Sequence, residues 1–489
     1  MNSGGTSNTG YLNTEIVIVG GGGAGLAAAV AAGEQGAHVI LLEKRHALGG
    51  NSVMAGGLFG AESPVQKRMM IDASRDQLFK AAMEYSHWRI NPRIVRAYID
   101  KSGDTIRWLE EKGLQFDHIP VLYPNQVPRT WHCPNGGGAA LLKVLAKNCE
   151  DLDVQLFPQT AAKRILSSEK GGVAGVVAVK EEKEFTMNAR CIIIATGGYA
   201  GNKELLKKYY PSYNENMELL GLPHMGEGLL MATEIGAATE GLGLVQLNGA
   251  RFPGSHFLSA IVGEPSLILV NKKGERFVDE SYPYYFEQGN AVDRQPDKIC
   301  YALFDNKVKQ YIIEDGLKRV GPGLPKVNFL QPKIEQTELE KELQSQADKG
   351  KVKISDSLGE IAKWIGVATE VLKATIDEYN FFCDRGHDEI FVKDQRYLMA
   401  LRTPPYYTIK CHSGFLGTLG GIKINQYMEV LDGQDNPIPG LYAAGSDTGG
   451  WVGDTYSARH LAGCAFGFAI NSGRIGGENG AKYVLGRYL

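Results

Sequence analysis

The sequence predicts an α/β fold: a domain built on a parallel sheet, interrupted by a separate α+β insertion. Three observations carry this. Strand-like and helical stretches alternate up to about residue 245. The middle changes texture, with short strands such as Leu267–Asn271 set among aromatic and Pro-containing loops. Near the end, Ile438-Pro-Gly-Leu-Tyr-Ala-Ala-Gly445 again places a strand before a glycine. The spacing predicts a tail over 1–10, a first domain over 11–246 that resumes at 416–489, and an insertion over 247–415.

The first elements are the most specific. Ile16–Val19 is a β-branched run ending in Gly20-x-Gly22-x-x-Gly25, with Gly23 and Ala24 inside the turn. An Ala-rich helix follows over Leu26–Glu34, then a second apolar strand, Val39–Leu42, closed by Glu43. Gly20 permits the tight turn, Gly22 lets backbone approach a pyrophosphate, and Gly25 lets helix and strand pack closely. The helix N-terminus offers its free N–H groups to the phosphates. Glu43 stands where an acid accepts a ribose hydroxyl. A lone Gly-x-Gly-x-x-Gly is weak, but set between strand and helix with the acid in place it marks a dinucleotide site.

The remaining elements follow in order. Cys191–Ala195 reads as a buried strand ending in Thr196-Gly197-Gly198. Residues 321–326, Gly-Pro-Gly-Leu-Pro-Lys, form a breaker, and the charge-rich 333–347 reads as a solvated helix. Ser357-x-x-Glu360 has the form of a capping box before Ile361.

Composition excludes several classes. The 489 residues suffice for two or three domains. A formal charge of −3 gives no electrostatic case for nucleic acid or anionic membrane. No apolar run approaches the ~18 residues that span a bilayer. Residues 1–10 are Ser, Gly, Asn and Thr rich, unlike a signal peptide. The seven cysteines are scattered without a C-x-x-C, which fits reduced thiols in a cytoplasm and gives no metal spacing.

Three separated motifs, Gly20–Gly25 with Glu43-Lys44 and Gly49-Gly50-Asn51-Ser52, Ala195-Thr196-Gly197-Gly198, and Gly440–Gly445, together resemble the fumarate reductase and 3-ketosteroid dehydrogenase flavoprotein superfamily. Gly226-Glu227-Gly228, Arg276-Phe277-Val278-Asp279-Glu280 and Leu419-Gly420-Gly421 add to the match, which covers nearly the whole chain. The resemblance implies a Rossmann-like FAD domain split by a capping domain, with substrate between them. It implies that Gly49–Ser52 and Ala55–Gly57 (with Gly56 and Gly57) line the flavin, and that Gly445 and Ser446 approach the ribityl chain, with Leu461 nearby. Asn51 falls where succinate dehydrogenases carry the histidine that bonds flavin covalently, so FAD is expected to be non-covalent.

At the site the chain departs from the fumarate reductases. Their catalytic arginine falls on Tyr284, their paired histidines on Leu416 and Gly417, a third anion-holding arginine on His460, and a substrate histidine on Asn248. A dianionic substrate would leave buried carboxylates poorly paired. The same stretches resemble the ketosteroid dehydrogenases: Glu280-Ser-Tyr-Pro-Tyr284, Leu416-Gly-Thr-Leu-Gly-Gly421 and Val452-Gly-Asp-Thr-Tyr456. The resemblance implies that Tyr284 exchanges a proton with carbon and Tyr456 donates a hydrogen bond to the substrate ketone. The family's following Pro-Gly-Pro-Gly turn is replaced by Ser457-Ala458-Arg459-His460, which makes the site a mosaic. Tyr123 aligns loosely with another site tyrosine. His132, in Trp131-His132-Cys-Pro-Asn-Gly-Gly-Gly138, resembles a glycine-rich segment of the reductases and is either a substrate contact or structural.

The sequence therefore predicts an FAD-dependent oxidoreductase of a neutral, mostly apolar cyclic substrate, a 3-ketosteroid-like ketone or a phenol-bearing ring system, working reductively with an external electron donor or acceptor. One alternative is reduction of flavonoid or isoflavonoid rings, as in the tetrahydrodaidzein reductases of gut anaerobes, with Arg459 and His460 helping a hydroxyl leave. Another is a non-catalytic or electron-transfer flavoprotein subunit.

Overall fold

The computed structural model describes residues 11–121, 128–169, 171–282, 285–317, 334–456 and 459–487. The expected tail at 1–10, the breaker at 321–326, and Tyr123 and Tyr284 lie outside them. In chain order the elements that build the site are β1 (Ile16–Val19), α1 (Gly23–Glu34), β2 (Val39–Leu42), β3 (Gln155–Phe157), β4 (Cys191–Ile194), β5 (Val245–Arg251), β6 (Ile268–Asn271), β7 (Ile299–Asp305), β8 (Val352–Ser355), β9 (Tyr406–Thr418), β10 (Glu429–Leu431), β11 (Pro437–Ala443) and α2 (Cys464–Val484).

The first sheet runs β10-β11-β4-β1-β2-β3. All its neighbours are parallel except the edge strand β10. β1, β2 and β4 are uninterrupted apolar runs buried along their whole length, with α1 and α2 packed on the sheet and the strand Val173–Lys180 packed against β4 and β11. Small residues let α1 and α2 approach closely. A Cβ added at Gly473 would stand 2.1 Å from the Ala24 carbonyl oxygen, and one at Gly477 would stand 2.3 Å from that of Ala28.

Between β3 and β4 the chain does not continue the parallel pattern. Ala161–Ser167, Val173–Lys180 and Lys183–Asn188 form an antiparallel meander, with Tyr11–Asn13 added at its edge. Its second turn places Glu181 and Glu182 at φ 51° and 61°, the two positive values of a tight hairpin turn whose twist suits the strands.

The insertion is organised on β9, a 13-residue strand paired antiparallel with β5, β7 and β8, while β6 extends from β7. It has its own hydrophobic core, from Ala250 to Cys411, distinct from the core around β1–β4 and α2. Both crossings between the two cores lie in one antiparallel ribbon: Val245 faces Thr418, Asn248 faces Gly414 and Arg251 faces His412. The expected boundaries at 246 and 415 fall inside this ribbon.

Two local expectations are corrected. The charge-rich helix spans Gln336–Asp348 and is not simply solvated, because Leu339 and Leu343 are buried in the insertion core. Ser357 caps the helix Leu358–Ile365 by position only. Its expected partner Glu360 instead accepts from Ser355 Oγ at 2.9 Å and pairs with Lys353 at 2.9 Å. Among the described residues no helix is long and apolar enough to cross a membrane.

A buried ion network fixes the segment that leads toward the site. Arg276 holds Glu280 through two bonds of 3.0 and 2.8 Å and Asp388 at 2.8 Å, and Lys393 lies 3.2 Å from Glu280. Two cations thus meet two anions with the Leu269 N–H also donating to Glu280, so no buried charge is left uncompensated. Glu280 anchors the start of the Glu-Ser-Tyr-Pro-Tyr motif.

Candidate cofactor and substrate site

A cavity of about 280 Å³ opens at the carboxyl ends of β1, β2 and β4. Of the expected cofactor residues, Gly20, Gly22, Gly23, Ala24, Glu43, Lys44, Gly50, Asn51, Ser52, Thr196, Gly197, Gly445 and Ser446 line it. The close approaches explain the glycines. A Cβ at Gly25 would lie 1.9 Å from the Gly20 carbonyl oxygen, so Gly25 is demanded by the turn itself. At Gly22 the nearest protein atom to a Cβ would be 3.9 Å away, so a side chain there would stand in the cavity at the N-terminus of α1.

The other expected cofactor residues support this cavity or stand apart from it. Gly49 donates its N–H to the Gly21 carbonyl at 2.8 Å. Gly198 donates to Asp447 at 3.0 Å. Gly56 and Gly57 pack on the Trp131 ring, where Cβ atoms would come within 2.7 and 2.8 Å of it. The Leu461 carbonyl accepts the Cys464 N–H at 3.0 Å at the start of α2.

Asp447 organises the second glycine loop. Its buried carboxylate accepts from the backbone N–H groups of Thr196, Gly197 (2.9 Å) and Gly198 (3.0 Å), and from Thr196 Oγ at 2.9 Å. Burial pushes its carboxyl above the ordinary value, against the pull of these donors. Glu43 is likewise fixed: its two oxygens accept from the Gly21 and Arg45 N–H groups, both at 2.8 Å. Lys44 pairs with Glu227 at 2.5 Å, and both line the cavity.

Asn51 links this cavity to the expected substrate positions. Its Oδ1 accepts the Leu222 N–H at 2.7 Å. A Cβ at the adjoining Gly221 would meet both the Asn51 amide and, at 2.2 Å, the Leu416 carbonyl. Leu416 and Gly417 therefore stand beside the Asn51 end of the cavity, and a side chain at Gly417 would enter open space.

A second group forms where the first domain meets the insertion. Tyr456 is buried edge-on against Phe286, with ring centroids 4.6 Å apart, and its hydroxyl accepts the Ala465 N–H at 3.3 Å. Asn290, on the same helix as Phe286, donates to Thr455 at 3.1 Å. Gly289 of that helix lies against Asn248, whose Oδ1 accepts from Arg251 Nε at 2.9 Å. His460 is half-buried with its ring 4.7 Å from that of Tyr85, and burial together with the neighbouring exposed Arg459 lowers its pKa. The structure thus brings Tyr456 and Asn248 to one helix, and places His460 beside Tyr85.

His132 has a structural place. It is fully buried, its Nδ1 donates to the Thr130 carbonyl at 2.9 Å and its Nε2 accepts from Ser63 Oγ at 2.6 Å. Burial pushes its pKa to about 4, so the ring is neutral at pH 7. Both nitrogens are spent within the protein, which corrects the substrate-contact reading. Ser63 and Gln66 form a reciprocal capping box around it, a signal present in the sequence.

The cavity fits FAD. It offers a glycine cradle at Gly22 and one buried polar atom without a hydrogen-bond partner among the described residues, His224 Nδ1. His224 and the edge Ala161–Lys163 are cavity residues that the motifs did not single out, and Glu227, from the Gly226-Glu227-Gly228 match, lines the cavity with them.

Fold and cavity together define a flavin-dependent oxidoreductase. Residues 15–459 match the family described as FAD binding domain, and the chain belongs to that family. It is 32% identical to a vinyl phenol reductase of Lactiplantibacillus plantarum, over 96% of this chain and 97% of that one. Among solved structures it resembles the open conformation of a flavocytochrome c3 fumarate reductase (28% identity, TM-score 0.75, 97% of this chain and 79% of that one). It also shares the fold of the 3-ketosteroid Δ1-dehydrogenase of Sterolibacterium denitrificans (21% identity, TM-score 0.79, 96% and 99% of the two chains).

Proposed function

We propose that this protein reduces a neutral, mostly apolar, ring-bearing substrate, drawing its electrons from an external donor through non-covalently held FAD. The observation that carries this reading is the pair Leu416–Gly417. It adjoins the Asn51 end of the cavity, brings no charged side chain, and leaves open space where the resemblance to fumarate reductases calls for paired histidines. Seating a dicarboxylate against such a surface would cost several kcal/mol in poorly paired charge. The full-length likeness to a vinyl phenol reductase supports an unsaturated substrate with an aromatic or conjugated ring.

When bound and reduced by the external donor, the flavin would supply a hydride to one carbon of the substrate. Tyr284 delivers the proton to the neighbouring carbon, since a phenol of pKa about 10 is a competent acid toward a carbanion-like centre. Tyr456 donates a hydrogen bond to the substrate oxygen, an interaction that strengthens as charge develops there. Asn248 contacts the substrate, as Tyr123 does on its alignment alone, and Arg459 and His460 offer polar contacts at the edge of the substrate space. Reduction of isoflavonoid rings is a narrower form of the same reading.

The test is anaerobic reoxidation of photoreduced protein with a vinyl phenol, a cyclic enone, an isoflavonoid and fumarate. At least one neutral substrate should restore the oxidised flavin spectrum, and fumarate should not. Rapid reoxidation by fumarate alone would overturn the reading. Inertness to every member of the panel would favour an electron-transfer subunit.

A further inference from the structure

The segment 221–226 brings His224 to the cofactor cavity, and its backbone is pinned at three residues. Leu222 donates to Asn51 at 2.7 Å, Gly201 donates to the His224 carbonyl at 2.7 Å, and Gly226 donates to the Gly198 carbonyl at 3.0 Å. The imidazole of His224 is therefore carried on a backbone that is held in place. Its Nδ1 is nevertheless buried and meets no hydrogen-bond partner among the described residues. A buried polar group left unpaired costs about 1–3 kcal/mol. His224 lines the cofactor cavity, and through Nε2 its ring faces Gly50 there.

The surroundings say which part of the ligand. A Cβ at Gly197 would fall 2.9 Å from His224 Nε2, so the glycine there makes room for the ring. A Cβ at Gly50 would lie 4.0 Å from His224 Nε2 and 3.6 Å from the Cα of Gly22. His224 thus stands across from the N-terminus of α1, where a pyrophosphate is held. The other groups facing it are Lys44 and Arg45, on the strand end that carries Glu43, and Glu227. Burial and these cations push its pKa to about 4, so it presents a neutral ring at pH 7.

We propose that His224 is a cofactor-holding residue that hydrogen-bonds the ribose–pyrophosphate stretch in the ADP half of FAD. The proposal rests on the FAD assignment and is independent of the substrate. The helix N-terminus and Lys44 meet the phosphate charge, and His224 adds a directional bond without adding charge.

The experiment uses deflavinated full-length chain and reads FAD binding by quenching of flavin fluorescence, with ADP as a competitor. His224→Ala should weaken FAD about ten- to a hundredfold, the loss expected for one buried hydrogen bond. It should weaken ADP by the same factor, and His224→Gln should recover part of the loss. The thermal midpoint of the apoprotein should not fall, because the nitrogen is unpaired before the cofactor binds. Unchanged FAD affinity would overturn the proposal. Weakened FAD with unchanged ADP would also overturn it, by moving the contact to the flavin half. A lowered apoprotein midpoint matching the loss of affinity would reduce His224 to packing.

Discussion

Asn51 accepts the Leu222 N–H at 2.7 Å, so one cavity side chain tethers the segment that carries His224. An amide in this role has no nucleophilic nitrogen to offer. Acid precipitation should therefore release all of the FAD to the supernatant. Yellow colour retained in the washed pellet would contradict this.

Two glycines of one turn should respond in opposite ways to the same methyl group. In Gly25→Ala the added carbon would overlap the Gly20 carbonyl oxygen at 1.9 Å, so the chain should lose solubility or melt far below the parent. In Gly22→Ala the added carbon meets nothing closer than 3.9 Å, so the apoprotein should fold normally and bind FAD at least about tenfold more weakly. Melting curves and FAD titration separate the two. Equal FAD affinity in Gly22→Ala would remove Gly22 from the cofactor contact.

The neutral His132 makes stability depend on pH. Its folded pKa of about 4 lies below the ordinary 6.5, so between these values the unfolded chain carries the extra proton. Its contribution is fully present above pH 6.5 and falls as pH drops toward 4, by at most about 3 kcal/mol. Denaturant melts across this window should show the fall in the parent chain. His132→Gln should flatten the slope by about one proton, and a slope left unchanged would assign the dependence to other groups.

The proposed acid and the proposed oxygen ligand separate kinetically. Tyr284→Phe should slow single-turnover flavin reoxidation by about two to four powers of ten while FAD content stays normal. Tyr456→Phe keeps the ring against Phe286 and should lower the rate more than the substrate affinity. Parent-like rates in both variants would return these tyrosines to aromatic packing.

The parts of the site that were legible in the sequence are local. Strand β1, the Gly20–Gly25 turn, α1, β2 and Glu43 follow one another, so each constraint is written within a few residues of the group it serves. The rest comes from across the chain. Asp447 caps the Thr196–Gly198 loop from about 250 residues away, and no periodicity or motif spacing carries that pairing. His224 faces Gly197 and Gly50 only once the sheet is formed. Gly56 and Gly57 look like cofactor glycines, but their neighbour is Trp131, a contact fixed by the pairing of Leu58 with His132. The meander at 161–188 escapes the alternating pattern because its strands pair with one another instead of joining the parallel sheet.

The ribbon of β5 and β9 has a consequence for how the molecule can be rebuilt. Val245 and Thr418 are opposite partners, about 5 Å apart as paired strands are. The chain between them departs and returns at one point, a neck beside which the helix Tyr285–Asp293 also rests on Tyr456 and Thr455. Such a module can be cut out and its stump sealed by a turn of a few residues, or a different module grafted on the same neck, without asking the parallel sheet to change its strand order. Substrate preference, so far as it resides in the grafted part, is exchangeable separately from the cofactor it works with.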